Sequence, residues 1–360
     1  MASQGMASRG RVVVAMSGGV DSSVAAALLK EQGYDVIGMM LRLWSEPGKE
    51  DSNRCCTPDS MAQARRAAAR LGIPFYAIDA QEAFHKVVVN YFLEGYARGE
   101  TPNPCLACNR QIRWGFLLQH ALAFGADFLA TGHYTRLCRD GQNSIQILRA
   151  VDRQKDQSYV LHVLTQEQLK HALFPIGEYT KPQVRELAHQ YGLSVAERPD
   201  SQDLCFLAGD DYRNFLLRNS PEIATPGPIL NRAGEILGEH SGLASYTIGQ
   251  RKGLGVSSPQ PMYVLKKNIQ ANTLIIGTAD ELGSQELLAK QVNWISGYPP
   301  AGPINAQVKT RYTASAVPGV VTPKQDGSAH VLFEQPLRDI TPGQAAVFYN
   351  QDICLGGGII

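Results

Sequence analysis

The sequence contains no hydrophobic run that approaches the roughly 20 residues needed by a membrane-spanning helix, and its net charge is only +1 at pH 7. The first absence predicts a chain that does not cross a membrane. The second excludes a strong overall attraction to nucleic acid, so any contact with RNA must come from local clusters of Lys and Arg. Hydrophobic residues (44%) and charged residues (19%) occur in the proportions of an ordinary globular protein.

The cysteine pattern of a secreted protein is also missing. Seven cysteines, an odd number, are spread over 360 residues, which favours free, metal-binding or redox-active thiols over a disulfide framework. Residues 1–20 contain Arg9 and Arg11 and no acidic residue, as in a transit peptide, but the run Val12–Met16 is typical of a strand. We therefore expect a cytoplasmic protein.

Short apolar runs alternate with amphipathic stretches in the first third of the chain. This repetition predicts a parallel sheet covered by helices on both faces, with ligands at the carboxyl ends of the strands. The predicted strands are Arg11–Met16, Asp35–Leu43, Ile73–Ile78 and Ala126–Ala130, and the predicted helices are Ser22–Gln32, Asp59–Leu71, Ala80–Arg98 and Asn109–Phe124.

The alternation weakens after Gly132, and the chain is longer than the about 250–300 residues that one hydrophobic core usually serves. Helices are predicted over Gln166–Leu173, Thr180–Tyr191 and Asp210–Asn219, and strands over Ile304–Thr310 and Ser328–Glu334. We predict an α/β domain over residues 1–209, a small connecting domain over 210–275 and a β-barrel or sandwich over 276–360.

A glycine- and serine-rich loop joins the first predicted strand to the first helix, in the order Ser17-Gly18-Gly19-Val20-Asp21-Ser22-Ser23. Two glycines allow a tight turn and a close approach to a ligand, and the N–H groups at a helix start favour an anion. The loop has no lysine and no G-x-x-x-x-G-K-[ST] pattern, which excludes the P-loop of kinases and GTPases. We interpret it as a pyrophosphate-binding loop; the alternative is a turn that binds nothing.

The loop resembles that of the ATP pyrophosphatases, which cleave ATP between its α- and β-phosphates and transfer AMP to an oxygen. This superfamily includes small-molecule ligases and amidotransferases as well as tRNA thiolases. The resemblance therefore implies ATP as a substrate and leaves the second substrate open.

Three cysteines lie in polar, turn-rich segments. Cys105 and Cys108 are three residues apart where a Pro-rich loop enters a predicted helix, close to Arg110 and Arg113. A helix start and neighbouring cations lower the pKa of a thiol and make it nucleophilic. A structural zinc site is the alternative, but no second Cys or His pair follows at zinc-binding spacing. The third thiol, Cys205, is either reactive or a small buried side chain.

Six segments, taken together and in this order, are similar to the tRNA-specific 2-thiouridylases, and the similarity covers nearly the whole chain. They are Ser17–Ser23, Asn103–Asn109, Ala130–Tyr134, Lys155–Tyr159, Asp200–Phe206 and Tyr246–Gly255.

The resemblance implies a role for each matching position. Cys108 corresponds to the nucleophile, and Cys205 to the cysteine that carries sulfur as a persulfide. The positions implied to bind ATP are Ala15, Met16, Ser17, Gly18, Gly19, Val20, Asp21, Ser22, Leu41 and Gly132. Those implied to contact the target base are Asn103, Pro104 and Cys105, and those implied to contact tRNA are His133, Lys155, Asp156, Gln157, Arg311, Tyr312 and Gln344.

Cys105 departs from the family pattern, since many members have Asp at this position. Three nearby thiols suggest a second hypothesis, a [4Fe–4S] cluster held by Cys105, Cys108 and Cys205, as in iron–sulfur-dependent thiolases of the same superfamily. A redundant Cys105 is the third interpretation. We favour the persulfide route, for which no resident metal is needed.

The resemblance implies a reaction in which ATP adenylates the C2 oxygen of a tRNA uridine, the wobble uridine of the anticodon loop. Mg²⁺ is expected with the ATP, near Asp21. A persulfide-carrying protein is the expected sulfur donor, and a Cys108–Cys205 disulfide is the expected product of one turnover. Basic pairs spread over all three predicted domains, such as Arg251 with Lys252 and Lys266 with Lys267, fit an RNA groove that spans them.

Overall fold

The structure is a computed structural model that describes residues 9–49, 57–141, 144–199, 204–207, 209–338 and 340–360. Cys55, Cys56, Asp200 and Ser201 lie outside the described residues. The α-helices are α1 (Val20–Glu31), α2 (Pro58–Leu71), α3 (Gln81–Phe84), α4 (Asn90–Ala97), α5 (Pro104–Ala107), α6 (Leu118–Ala123), α7 (Ser158–Leu161), α8 (Gln166–Lys170), α9 (Lys181–Gln190) and α10 (Tyr212–Asn219).

Strands fall into three sheets. Those of the first part are β1 (Arg11–Ala15), β2 (Asp35–Arg42), β3 (Phe75–Asp79), β4 (Phe128–Thr131), β5 (Thr135–Arg139), β6 (Ile145–Arg149) and β7 (Ala172–Leu173). The middle part has β8 (Gly227–Leu230), β9 (Ile236–His240), β10 (Tyr263–Asn268) and β11 (Thr273–Gly277), and the last part has β12 (Ser284–Trp294), β13 (Ile304–Lys309), β14 (Val317–Pro323), β15 (Ala329–Leu337), β16 (Ala345–Asn350) and β17 (Ile353–Ile359).

The first sheet is parallel, with the strand order β3-β2-β1-β4-β7. In its central strand Val12, Val13 and Val14 are fully buried, because helices cover both faces of a parallel sheet. Val12 and Val14 pack with α1, α2 and α9, whereas Val13 packs on the opposite side with Trp114. The predicted α/β class is confirmed.

Two predicted helices contain a wider helical turn. Within the predicted helix Ala80–Arg98, residues His85–Val89 form a π-helical segment between α3 and α4. A second π-helical segment, Cys108–Leu117, lies between α5 and α6 and overlaps the predicted helix Asn109–Phe124 from one residue before its start. The π-helix is rare in proteins, but where it occurs it often lies at a functional site. The second of these segments begins at Cys108, the cysteine implied to be the nucleophile.

The prediction of one helix over Gln166–Leu173 is wrong at its end. The helix α8 stops at Lys170, and Ala172–Leu173 forms β7, the edge strand of the parallel sheet beside β4. Two residues are too few for an apolar pattern to reveal a strand.

The last six strands form a closed barrel, because β12 pairs with both β15 and β17 in the order β12-β15-β14-β13-β16-β17. The hairpin β5–β6 belongs to the first part of the chain but continues the barrel sheet by pairing with β17. The apolar cluster on the Val13 side of the parallel sheet accordingly extends to Val347 and Tyr349 of the barrel. The catalytic sheet and the barrel thus share one core.

The middle sheet has the order β10-β11-β8-β9 and its own apolar cluster around Ile229, Val264 and Leu274. Among the described helices, none is both long enough and apolar enough to cross a membrane.

Candidate active site

The residues implied to bind ATP meet at one edge of the parallel sheet. Ala15 is the last residue of β1 and residues 16–22 follow it, Leu41 lies near the carboxyl end of β2, and Gly132 follows β4, the other neighbour of β1. This is the edge at which parallel sheets bind ligands. The structure therefore places these ten positions together, as the βα pattern predicts.

The loop between β1 and α1 is shaped by serine hydroxyls. The Ser22 hydroxyl accepts a hydrogen bond from the Ser17 N–H (3.2 Å), and the Ser23 hydroxyl donates to the Gly19 carbonyl oxygen (2.9 Å). Gly19 precedes α1 and has no side chain to cap the helix. The first N–H groups of α1 therefore point at the mouth of the loop, where Ser17 is exposed, and form an anion-binding helix start.

Two glycines are needed for the loop to pack. Gly18 has a φ of +74°, and a Cβ there would overlap the carbonyl oxygen of Ser60 at the start of α2. A Cβ on Gly132 would lie 2.7 Å from the backbone nitrogen of Ser22. The absence of a side chain at Gly18 and Gly132 thus lets the phosphate loop pack closely against the backbone of α2 and of the segment after β4.

Asp21 is bound by two side chains that the sequence did not single out. The Lys181 ammonium donates to both Asp21 carboxylate oxygens, at 2.8 Å and 2.9 Å, and the Tyr134 hydroxyl donates to one of them at 2.7 Å. Lys181 is 7% exposed. The phosphate loop has no lysine of its own, and α9 brings one to it.

A signal for Lys181 was present in the sequence. It is the first residue of α9, directly after the N-cap Thr180, and a lysine is unfavourable at a helix N-terminus because the helix dipole is positive there. Such a residue requires a compensating anion. Asp21 is that anion.

This ion pair bears on the expected magnesium ion. Mg²⁺ takes oxygen ligands with near-octahedral geometry, but both oxygens of the Asp21 carboxylate already accept hydrogen bonds from Lys181. Among the described residues, no group of three His, Cys, Asp or Glu side chains is arranged to hold a metal ion. In this arrangement the Asp21 carboxylate is engaged by Lys181, and the magnesium ion expected near Asp21 stays a prediction.

The side chains of Gln157 and Asp156 are directed into the protein, where they form hydrogen bonds with neighbouring segments. The Gln157 side-chain oxygen accepts from the Tyr134 N–H (2.9 Å), and the Gln157 N–H donates to the Tyr134 carbonyl oxygen (2.8 Å). Asp156 is 8% exposed and accepts from the Ala150 N–H (3.0 Å) and the Ser158 hydroxyl (2.9 Å). Both side chains fix the segment that presents the half-buried Lys155.

Arg198 ties the segment that leads to Cys205 to the phosphate loop. Its guanidinium donates to the Gly18 carbonyl oxygen (3.0 Å) and the Ser60 hydroxyl (3.0 Å), and it pairs with Asp59 (3.1 Å). No local pattern predicts this contact, because the partners of Arg198 lie 138 residues or more away along the chain.

Cys108 lies at the junction of two helical geometries, at the end of α5 and the start of the π-helical segment. The Asn103 side chain begins this helix by accepting from the Cys105 N–H (3.1 Å), and Pro104 occupies its first turn. Cys105 is exposed and Cys108 is buried. The sequence pattern thus correctly predicts a helix start beside the two thiols.

His133 is buried (6% exposed) and stands between Thr131 and Arg113. Burial and the neighbouring guanidinium hold the pKa of His133 well below its usual range, so the ring is neutral. Its Nε2 accepts from Arg113 (3.0 Å), and its Nδ1 then donates to the Thr131 hydroxyl (2.7 Å). Arg113 also donates to the side-chain oxygen of Asn109 at 3.3 Å, and Asn109 directly follows Cys108 in the chain. In this structure His133 supports the Cys108 helix from inside.

Cys205 begins a short 3₁₀ turn, Cys205–Leu207. Phe206 inserts into an apolar cluster with Phe92 and Phe215, and that cluster includes Cys108, with Cys205 packed against it. The two cysteines implied to exchange sulfur therefore border the same apolar cluster. No disulfide is present among the cysteines of the described ranges.

The iron–sulfur hypothesis is not supported. Cys105, Cys108 and Cys205 all belong to the described part of the chain, and within it no three potential ligands come together at a metal-binding arrangement. Cys108 is buried at the helix junction, whereas Cys105 is exposed. Sequence spacing related only Cys105 to Cys108, and Cys205 was grouped with them through the family resemblance.

Two of the barrel residues implied to contact tRNA lie near the loop that leads to Cys105. Gln344 donates to the Thr101 carbonyl oxygen (2.7 Å), and the Arg311 guanidinium donates to the Ile248 carbonyl oxygen (3.0 Å) and to the Thr341 hydroxyl. Tyr312 is 39% exposed, and its pKa is raised by burial and by the nearby Asp156 and Cys105. Gln344 and Tyr312 therefore lie near residues 101–105, whereas Arg311 is bonded to Ile248 and Thr341.

Three family models match the chain in succession. They are described as the tRNA methyl transferase HUP domain (residues 10–209), the tRNA methyl transferase PRC-barrel domain (213–278) and the aminomethyltransferase β-barrel domain (284–360).

Curated proteins called tRNA-specific 2-thiouridylase MnmA align over nearly the full length. The protein from Herpetosiphon aurantiacus is 46% identical over 97% of this chain and 98% of its own. Those from Magnetococcus marinus and Acetivibrio thermocellus are 47% identical (97% of this chain, 98% of theirs) and 45% identical (98% and 99%). The chain belongs to the tRNA-specific 2-thiouridylase family. The resemblance carried by the six sequence segments is confirmed, and so is the fold of a parallel-sheet domain followed by two β-rich units.

We predict that Gly132→Ala weakens ATP binding about tenfold, because the new Cβ pushes the Ser22 backbone and overpacking costs about 1–3 kcal/mol. Gly302→Ala is the matched control, since a Cβ there meets nothing within 4 Å. Calorimetric titration with ATP measures both variants. Equal affinities in the two would contradict the close packing of Gly132 on the loop of this 2-thiouridylase.

We predict that Lys181→Gln slows tRNA-dependent AMP formation about 10²-fold, because Asp21 loses its ion-pair partner and leaves an uncompensated negative charge at the loop that must hold the phosphates. Lys170→Gln, at an exposed lysine paired with Glu167 (2.6 Å), is the control. Single-turnover assays with labelled ATP make the comparison. Wild-type rates in Lys181→Gln would mean that this lysine only supports the fold.

Proposed function

We propose that this protein uses ATP to convert a uridine of tRNA to 2-thiouridine, with Cys205 carrying the sulfur and Cys108 as its partner. Three parts of the structure together support the proposal. They are the phosphate loop with its Asp21–Lys181 pair, the helix start at Asn103–Cys105, and the apolar cluster that Cys108 and Cys205 both border.

The first half of the reaction makes a leaving group. A uridine C2 carbonyl is a poor electrophile, so its oxygen must first be activated. The oxygen attacks the α-phosphate of ATP, the bond to the β-phosphate breaks, and pyrophosphate departs. The loop N–H groups hold the negative charge of the leaving pyrophosphate, and Lys181 neutralises the Asp21 carboxylate at the same helix start. Mg²⁺ accompanies ATP as its usual counter-ion.

The second half replaces oxygen by sulfur. In one order, the terminal persulfide sulfur on Cys205 attacks C2 and AMP leaves. The Cys108 thiolate then attacks the Cys205 sulfur and releases 2-thiouridine. In the other order, Cys108 first releases hydrosulfide, which then attacks C2. Both orders end in a Cys108–Cys205 disulfide that an external thiol must reduce.

The proposal also includes a target base, a sulfur donor and a cellular location. The family resemblance implies the wobble uridine of the anticodon loop as the target, and bases are most accessible in such single-stranded loops. A persulfide-carrying protein supplies sulfur to Cys205. A cytoplasmic location provides tRNA, ATP and the reducing thiols that reopen the disulfide.

Methyl transfer is the second candidate, because two of the matching models are described as tRNA methyl transferase domains. A methyl donor with a sulfonium centre has no phosphates. Such a reaction gives no role to a loop that presents a helix start, an Asp–Lys pair and two serine hydroxyls. The phosphate loop therefore favours thiolation.

Mass analysis of tRNA nucleosides after incubation with ATP, Mg²⁺ and a persulfide donor tests the function. We expect 2-thiouridine that depends on ATP, together with AMP and pyrophosphate. A methylated uridine in its place would support the second candidate, and an unmodified tRNA would overturn the proposal.

We predict that Cys108→Ser and Cys205→Ser abolish 2-thiouridine formation, since each removes one sulfur of the exchanging pair. Cys105→Asp should retain activity, because the family resemblance implies that many members have Asp at this position. Cys138→Ser is the control, at a half-buried thiol that donates to Gln146 (3.4 Å). Single-turnover thiolation without reductant, followed by peptide mapping for a Cys108–Cys205 cross-link, gives the readout. Wild-type thiolation by Cys205→Ser would exclude it as the sulfur carrier.

A further inference from the structure

Four charged side chains form a network of ion pairs next to the turn that begins at Cys205. Glu46 and Lys49 come from the segment that follows β2, whereas Asp210 and Arg218 come from the start and the body of the α10 region. We call this network the Glu46 clamp. No step of the reaction proposed above uses any of the four residues.

Arg218 binds the carboxylate of Glu46 with two parallel hydrogen bonds. Its Nε donates to Oε1 and its Nη2 to Oε2, both at 2.8 Å. The third nitrogen, Nη1, lies 2.8 Å from Asp210 Oδ2, and Lys49 lies 3.0 Å from the same oxygen. Isolated exposed ion pairs contribute little to stability, but a bidentate Arg–carboxylate pair within a network holds one geometry. The side chain of Glu46 is only 14% exposed.

A tight turn presents two of these charges to α10. In the order Glu46-Pro47-Gly48-Lys49, the Lys49 N–H donates to the Glu46 carbonyl oxygen (2.9 Å), and Gly48 has a φ of +80°. Proline fixes φ at the second position of such a turn, and glycine accepts the positive φ at the third. The turn therefore places Glu46 and Lys49 side by side, 3.5 Å apart, by its own local geometry.

The clamp is joined to the Cys205 turn through the backbone of Asp210. The Asp210 N–H donates to the carbonyl oxygen of Leu207 (2.9 Å), the last residue of that turn. Inside the same turn, the ring of Phe206 packs on Phe215 of α10, with centroids 5.3 Å apart. The turn that carries Cys205 is thus attached to α10 by one polar and one apolar contact.

The loop that supplies Glu46 also contacts the apolar cluster to which Cys108 belongs. Trp44, two residues before Glu46, lies edge-on to Phe215 (centroids 6.3 Å apart) and packs against that cluster. The clamp therefore fastens α10, and with it Cys205, to a loop whose other contacts are on the Cys108 side. A break in the clamp would leave the Cys205 turn with its apolar attachment alone.

We propose that the Glu46 clamp sets the position of Cys205 relative to Cys108, and that Glu46 and Arg218 are positioning residues for the exchange of sulfur. The inference rests on the proposed function and adds to it the residues that bring the two thiols together. Exchange requires a thiolate to reach the sulfur that it attacks, and a misplacement of about 1 Å can lower a rate about 10²-fold. A clamp that only stabilises the fold is the competing explanation.

The effective concentration of Cys205 towards Cys108 tests the proposal. It is the equilibrium constant for converting the two thiols to their disulfide in glutathione buffers, and peptide mapping after acid trapping measures it. Glu46→Gln removes the charge of the clamp at nearly constant size. Glu167→Gln is the matched control, since it breaks an exposed ion pair with Lys170 (2.6 Å) on α8.

Glu46→Gln should lower the effective concentration about tenfold, because a displaced turn brings the two sulfurs together less often. The control should match the wild-type protein. Arg218→Gln should cause at least the same loss, and the combination of Glu46→Gln with Arg218→Gln should lose no more than Arg218→Gln alone, as expected for side chains that act through one contact.

A second readout separates positioning from stability. In single turnovers with a persulfide donor, Glu46→Gln should form AMP at the wild-type rate but yield fewer 2-thiouridines per AMP. Sulfur transfer is then slow, so water attacks C2 of the adenylated base, AMP leaves and uridine returns. A lower melting temperature with an unchanged effective concentration in both clamp variants would overturn the proposal and leave the clamp a stabilising contact.

Lys49→Gln guards against variants that do not fold, because it keeps the bidentate Glu46–Arg218 pair and removes only the weaker contacts of Lys49. We expect it to lie between the wild-type protein and Glu46→Gln, and a wild-type value in both would contradict the clamp. A wild-type disulfide that is insensitive to every clamp variant would refute the clamp alone. Absence of any Cys108–Cys205 disulfide in the wild-type protein would refute the sulfur pair of the proposed function as well.

Discussion

The site depends on a chain of hydrogen bonds that begins at one carboxylate. Asp21 accepts from Lys181 and Tyr134, Tyr134 is paired through its backbone with Gln157, and the adjacent Ser158 reaches the Tyr349 hydroxyl in the barrel at 3.1 Å. A polar path thus joins the phosphate loop to the third domain. Because β6 also pairs with β17, the barrel and the parallel sheet share one core. The positions of the barrel residues are therefore fixed relative to the phosphate loop.

This arrangement separates the two halves of the proposed chemistry. Phosphate chemistry uses the strand ends of the parallel sheet, where helix N–H groups and Lys181 favour negative charge. The proposed sulfur exchange uses the apolar cluster around Phe206, which includes Cys108 and against which Cys205 packs. Arg198 is bonded to Gly18 and precedes Cys205 along the chain, so it connects the two places.

Much of the fold follows from local patterns, since the βα alternation and the Gly-Gly loop are short-range signals. What the sequence did not reveal depends on distant partners. Lys181 reaches Asp21 across 160 residues, and the hairpin β5–β6 joins a strand that lies some 200 positions later in the chain. That hairpin did have a local signal, the turn residues Asp140 and Gly141 between alternating segments. The interior position of His133 had none, because a pattern match conveys a role and not an exposure.

The transfer of the target oxygen tests the account most directly. tRNA is prepared with a heavy-oxygen label at C2 of the target uridine, and the AMP released during thiolation is analysed by mass spectrometry. Adenylation of that oxygen predicts that the label leaves in AMP, one atom for each 2-thiouridine formed. Unlabelled AMP, with the heavy oxygen released to water, would contradict the proposed chemistry.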